Sequence, residues 1–184
     1  MNKEIGMEFE DFPKMARFSR ECIITEKIDG TNAQIAINEH GDMFVGSRTR
    51  WITPESDNYG FAAWAQENRS ELLKLGPGRH FGEWWGAGIQ RRYGVPDKRF
   101  SLFNVSRWSD DSIRPACCLV VPELYRGVMR ASTVECVIDE LSLLGSRAAP
   151  GFMDPEGIVI YHVAAGVGFK KTILKDESPK SLAP

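Results

Sequence analysis

The sequence predicts an α+β fold: mostly antiparallel sheets with flanking helices. Three observations carry that prediction. Short segments rich in β-branched residues lie between turn residues, one segment alone has a long helical stripe, and strands and helices do not alternate regularly enough for a doubly wound parallel sheet. A length of 184 residues suits about one domain, and 42% hydrophobic with 26% charged residues is ordinary globular composition.

Residues 20–27 (RECIITEK) form an apolar run bounded by charges and read as a buried strand ending at Lys27. Asp29-Gly30 supply a turn. The segment 33–38 then alternates apolar and polar residues, and Glu39-His40-Gly41-Asp42 mark a hairpin into 43–47. From Phe61 the pattern turns helical through Trp64, Ala65, Leu72 and Leu73, with a break near Asn68 and a stop at Gly76-Pro77-Gly78. Residues 79–85 and 100–105 read as strands. The strongest helix spans 133–144: Ser132-x-x-Glu135 has the form of a capping box, Val134, Val137, Ile138, Leu141 and Leu144 make one stripe, and Gly145 ends it. Residues 156–162 and 168–174 are the last strands. The expected division is one domain over 1–174 and a polar, fraying tail over 175–184.

Composition excludes several classes. Lys plus Arg number 23 and Asp plus Glu 25, a net charge of −2, so nucleic-acid binding needs a local patch. Such a patch is suggested between 79 and 107, where Arg79, Arg91, Arg92, Lys98, Arg99 and Arg107 outnumber Glu83 and Asp97, with Tyr93 and Trp108 interleaved. No apolar run approaches the ~18 residues of a membrane span, and 1–11 is acidic without an apolar signal core, which together predict a cytoplasmic protein with no membrane partner. Cys22, Cys117, Cys118 and Cys136 lack the spacing of a zinc site and are read as buried reduced thiols.

Some polar residues stand where a plain core strand would not put them: Lys27 before Asp29-Gly30, Glu83 between aromatics, Glu156 before Gly157, and Lys170-Lys171 inside an apolar strand. Each alone is weak, and a solitary Lys-x-Asp-Gly reads as a solvated turn. On alternating strand geometry, Lys170 and Lys171 point to opposite faces, while Arg48 and Arg50 share one face as a fork for phosphate or ribose oxygens.

Their order is informative. Lys27-Ile28-Asp29-Gly30, Ser47-Arg48-Thr49-Arg50, Phe81-Gly82-Glu83, 100–105, Glu156-Gly157-Ile158-Val159 and Phe169-Lys170-Lys171 resemble the successive motifs of the covalent nucleotidyltransferase superfamily, the ATP-dependent polynucleotide ligases and capping enzymes. The fuller string from Thr25 to Asn32 is most similar to phage-type nick-sealing RNA ligases, and the resemblance spans roughly 12–174. It implies a nucleotidyltransferase (adenylation) domain of the ATP-grasp-like ligase type without an OB domain, and an ATP-dependent RNA ligase acting through a lysyl-AMP intermediate. AMP passes from ATP to Lys27, then to a 5′-phosphate RNA end, and a 3′-hydroxyl, expected at a nick, displaces it. The implied cofactors are ATP and Mg²⁺ or Mn²⁺, with room for a partner protein that supplies further nucleic-acid-binding surface.

The resemblance also assigns roles. Lys27 is the nucleophile, which needs desolvation and neighbouring cations such as Lys170, Lys171 and Arg48 to expose its lone pair. Lys170, with Lys171 second, neutralises the α-phosphate. Glu156 holds the hydrated metal. Glu83 accepts from a ribose hydroxyl, Phe103 stacks on the purine, Glu26 lies near the adenine, and Asn32 and Arg48 lie near ribose or phosphates. Three positions depart from the pattern: the adjacency of Lys170 and Lys171, Asn104 in place of an Asp, and Tyr161 in place of a basic residue. The departures keep a module that binds nucleotide or RNA ends without turnover as an alternative, beside a DNA ligase and a GTP-using capping guanylyltransferase. With little chain after Lys171, competent self-adenylylation and weak, salt-sensitive sealing are expected.

Overall fold

The structure, a computed structural model, describes residues 8–174 and 176; the first seven residues and nearly all of the predicted tail lie outside the described residues. Among the described residues the elements run β1 (Glu21–Lys27), β2 (Thr31–Ile37), β3 (Met43–Ser47), α1 (Phe61–Glu67), α2 (Arg69–Leu72) with a 3₁₀ turn (Leu73–Leu75), β4 (Gly78–Gly86), β5 (Lys98–Leu102), α3 (Val105–Trp108), β6 (Cys118–Val120), β7 (Glu123–Val128), α4 (Ala131–Leu144), β8 (Gly157–His162) and β9 (Val167–Thr172). They build a mixed α+β fold with two sheets, ordered β7-β1-β8-β9 and β3-β2-β4-β5-β6. Every pairing is antiparallel except β5 with β6. No helix among the described residues is long and apolar enough to cross a membrane.

Strand alternation explains how each sheet uses its two faces. On β1 and β8, Cys22, Ile24, Ile158 and Ile160 turn to one side and pack with Ile138 and Leu141 of α4. On β2, β4 and β5, Ala33, Ile35, Ile37, Trp84, Phe100 and Leu102 pack with Phe61, Ala62, Ala65 and Leu72 from α1 and α2. The remaining faces turn toward each other: Ile23, Ile28, Trp85, Tyr93, Val105 and Val121 close a third core between the sheets. Trp84 and Trp85 are both core residues, as expected for adjacent aromatics in a central strand.

The chain passes from the first sheet to the second through Ile28, Asp29 and Gly30. A Cβ on Gly30 would lie 2.4 Å from the Trp84 carbonyl oxygen and 2.8 Å from Trp85 Cβ, so only glycine permits the crossing. Gly157 is the other glycine the architecture demands, with φ 154° and space for a Cβ blocked by the Lys171 carbonyl at 2.2 Å.

Several expectations need correction. The helix predicted over 133–144 begins earlier, at Ala131, and no capping box forms: Arg130, in extended conformation, is the N-cap and makes no side-chain cap. The strand expected over 100–105 ends at Leu102, because Asn104 caps α3 by accepting the Arg107 N–H at 3.2 Å. β3 ends at Ser47, so Arg48 and Arg50 sit on a bend rather than share a strand face. β6 and β7 went unread. Cys136 is exposed, unlike the buried Cys22 and Cys118, and all four cysteines are free.

Candidate active site

Between the facing surfaces of the two sheets lies a cleft of about 770 Å³. Alternation puts Ile23, Thr25 and Lys27 of β1, Val159 and Tyr161 of β8, and Lys170 of β9 on its first wall. Lys27 is the last residue of its strand, and its Nζ lies 2.6 Å from Glu156 Oε2. Glu156 is 3% exposed, so this is a largely dry ion pair whose members each cost free energy to desolvate singly. The nearest partner of the lysine is therefore a carboxylate, while of the neighbouring cations expected from the sequence Lys170 and Arg48 border the same cleft.

The second wall carries Asn32 from β2 and Glu83 from β4, which pair directly across the strands. Glu83 accepts from the Gly30 N–H at 3.0 Å and from Asn32 Nδ2 at 3.1 Å. Burial pushes its carboxyl up to about 7, against the opposing pull of the Lys27 charge and the Gly30 N–H. Arg48, on the bend after β3, and Phe103, just past β5, complete the mouth.

Seven of the candidate site residues named in the sequence thus border one cleft: Glu26, Lys27, Asn32, Arg48, Glu83, Phe103 and Lys170. Glu156 adjoins it through Lys27. Two behave otherwise. Glu26 pairs with Ile158 on the α4 side of the sheet, and although the residue borders the cleft, its carboxylate accepts from Ser146 Oγ at 2.6 Å and from the Arg147 and Ala148 N–H groups at 2.8 and 2.9 Å. It braces the loop after α4. Lys171 likewise faces α4, with Nζ 3.6 Å from Glu135 and 3.8 Å from Asp176. Opposite faces for the two lysines follow from alternation, and the side toward the cleft belongs to Lys170. At the other departures, Tyr161 borders the cleft, and Asn104 does the work of a helix cap.

The loop after β4 supplies residues the sequence reading did not recognise as part of the site. Tyr93 is buried and its hydroxyl accepts the Asp29 N–H at 2.8 Å, two residues beyond the nucleophile candidate. Burial raises the phenol well above its ordinary pKa, which keeps it neutral. Arg91 reaches Asp29 Oδ2 at 3.2 Å and Asp154 Oδ2 at 2.5 Å, so one guanidinium ties the segment after Lys27 to the segment before Glu156. The loop spends strain to do so: Gln90, Arg92 and Tyr93 all have positive φ. These partners stand 62 to 64 residues apart in sequence, which left no local signal. Several members of the suggested patch over 79–107 are engaged elsewhere. Tyr93 and Trp108 are core, Arg99 pairs with Asp97, and Arg107 lies over the Trp108 ring at 4.4 Å.

Comparison with known proteins bears on the family and the fold. The family model described as RNA ligase matches residues 20–175. The chain belongs to the RNA ligase family. Among solved structures, this RNA ligase family member is similar to Naegleria gruberi RNA ligase without ligand, with TM-score 0.63 and 18% identity over 84% of this chain and 50% of that one. Forms of the same Naegleria enzyme solved with ATP and Mn, and with AMP and Mn, give TM-scores of 0.62 and 0.63, each at 17% identity. The chain spans about half the length of these structures: 48% and 50% of the latter two. At such identity the likeness concerns the fold. A search of curated protein sequences returned no match.

Proposed function

We propose that this chain is the adenylation domain of an ATP-dependent RNA ligase and that Lys27 carries AMP as a lysyl-AMP intermediate. One observation carries the reading: residues from 27 to 170, distant in sequence and each suited to one part of a nucleotide, converge on a single cleft around a lysine. Membership of the RNA ligase family and the ATP- and AMP-bound state of the Naegleria structures support it.

In the first step Lys27 Nζ forms a bond to the α-phosphorus while the bond to pyrophosphate breaks. Nζ must first give up a proton, and Glu156 Oε2 at 2.6 Å is within reach to take it or to let it pass to water. Lys170 and Arg48 neutralise charge that grows on the phosphate oxygens. Phe103 offers a ring face to the base, and Glu83, in its ionised form, accepts from a ribose hydroxyl. An oxygen of a 5′-phosphate RNA end then takes AMP from Lys27, and attack by a 3′-hydroxyl on that 5′-phosphate expels AMP and joins the strands.

A divalent cation of the Mg²⁺ or Mn²⁺ type fits the donor chemistry, since one buried carboxylate beside the nucleophile matches an ion that otherwise keeps water and phosphate ligands. Glu156 would hold it, and its contribution there would be to neutralise the nucleotide phosphates.

Incubation of the protein with ATP labelled at the α-phosphate and a divalent cation should label Lys27 through a P–N bond, labile in acid and stable in alkali. Lys27→Ala should abolish the label. Preference for GTP would redirect the reading toward capping chemistry, and absence of any adduct would refute it.

A further inference from the structure

The cleft-facing surface of the five-stranded sheet continues past the cleft. Along β4 the residues on that face are Glu83, then Phe81, then Arg79, opposite Asn32, Gln34 and Ala36 of β2. β3 adds Phe44 beside Ala36 and Gly46 beside Gln34, and Trp51 bridges back onto Gly46. The large rings of this row are half exposed: Phe81 is 51% exposed, Phe44 50% and Trp51 49%. The short side chains of Ala36 and Gly46 leave it flat between the rings. At Gly46 a Cβ would press on Gln34 Cγ at 2.8 Å.

Cations accompany the rings. Arg79 Cζ lies 5.4 Å from the Trp51 ring centroid, and its Nη1 donates to Gln34 Oε1 at 3.2 Å. Arg50 is held by neutral acceptors, the Ser56 carbonyl and hydroxyl. Among the described residues, Arg48, Arg50 and Arg79 enter no ion pair, in contrast to Arg91, Arg99, Arg114, Arg126 and Arg147. The surface is also continuous with the cleft, since the Phe103 N–H donates to the Phe81 carbonyl at 3.0 Å.

We propose that this face is a track for single-stranded RNA leading to the cleft, with unpaired bases stacked on Phe81, Phe44 and Trp51 and phosphates met by Arg79. The polymer's identity as RNA rests on the ligase reading; the geometry itself selects a polyanion with exposed ring faces. Uncompensated guanidiniums separate that occupant from an apolar protein partner or from a second copy added at the edge strand β3. Paired bases hide their ring faces inside the duplex, so the track favours an unpaired segment over a continuous duplex.

Fluorescence anisotropy of the whole chain with a 3′-labelled, 5′-hydroxyl RNA of ~12 nucleotides, single-stranded or fully paired, tests this. The single strand should bind more tightly. Phe81→Ala, and Phe44→Ala with Trp51→Ala, should each weaken it about 10-fold or more, stacking being a large term per base. Arg79→Gln should reduce the salt slope by about 0.7. Phe81→Leu keeps the bulk without the ring and should weaken binding in the same direction, and circular dichroism melts report whether each variant folds. Covalent labelling of Lys27 by ATP should remain at the wild-type level in all of them. Equal affinity in the variants, tighter binding of the duplex, or a concentration-dependent dimer lost in the variants while RNA affinity is unchanged would each overturn the proposal. Unlabelled Lys27 together with the expected RNA losses would overturn the ligase reading and leave the track standing.

Discussion

Glu83 stands in an environment far from that of a surface carboxylate. Its pKa is raised to about 7 by burial, so the folded protein binds a proton there that the unfolded chain releases near pH 4.5. That contribution to stability is complete below pH 4.5 and is lost as pH rises through about 7, a loss of roughly 3 kcal/mol by linkage. Wild-type Tm should therefore fall as pH rises from about 4.5 through about 7, and Glu83→Gln should flatten that fall, measured by thermal melts across that range. A wild-type melt that does not fall over the range would contradict the assignment. The same proton connects to the proposed function, because the proposed ribose contact calls for the ionised acceptor and so for pH above about 7.

At the level of elements, strand alternation was the most legible feature. It separated Lys170 from Lys171 in the sequence, and the register of β9 on β8 sets Lys170 opposite Val159 of the cleft wall and Lys171 opposite Ile158 of the α4 face. Lys170→Ala should accordingly lower the rate of Lys27 labelling on the order of 100-fold, as for loss of one transition-state donor. Lys171→Ala should leave that rate within about 2-fold and cost under ~1 kcal/mol, since it removes only partly exposed ion pairs. Equal losses in both variants would refute the division. Alternation misled only where the strand had already ended, at Arg48 and Arg50, because nothing in Ser47-Arg48-Thr49-Arg50 announces the bend. The Ser132-x-x-Glu135 pattern failed for a related reason: the chain enters α4 from an extended Arg130, which leaves Ser132 inside the helix. Glu26 was invisible as a brace, since its partners at Ser146, Arg147 and Ala148 lie 120 to 122 residues away. β6 and β7 escaped notice because neither alternates cleanly and β7 is an edge strand with one half-buried face.

The whole molecule is two sheets, each with its own helix-backed core, joined by a third core and by the passage through Gly30. That passage has no slack. Gly30→Ala would force a methyl against the Trp84 carbonyl and Trp85, and should cost about 2–3 kcal/mol, which for a chain of this size lowers Tm by roughly 5–10 °C. An unchanged melt would show that the strands part easily at this point. The same architecture gives the two walls of the cleft to different sheets: Lys27 and Lys170 to one, Asn32 and Glu83 to the other. A nucleotide that touches both acts as a reversible tie between them, and by mass action it adds stability in proportion to the logarithm of its concentration over Kd. On the proposed chemistry, AMP bonded to Lys27 would make that tie unable to dissociate, so the charged protein would keep the added rigidity when free ATP is gone and give it up on handing the nucleotide to an RNA end.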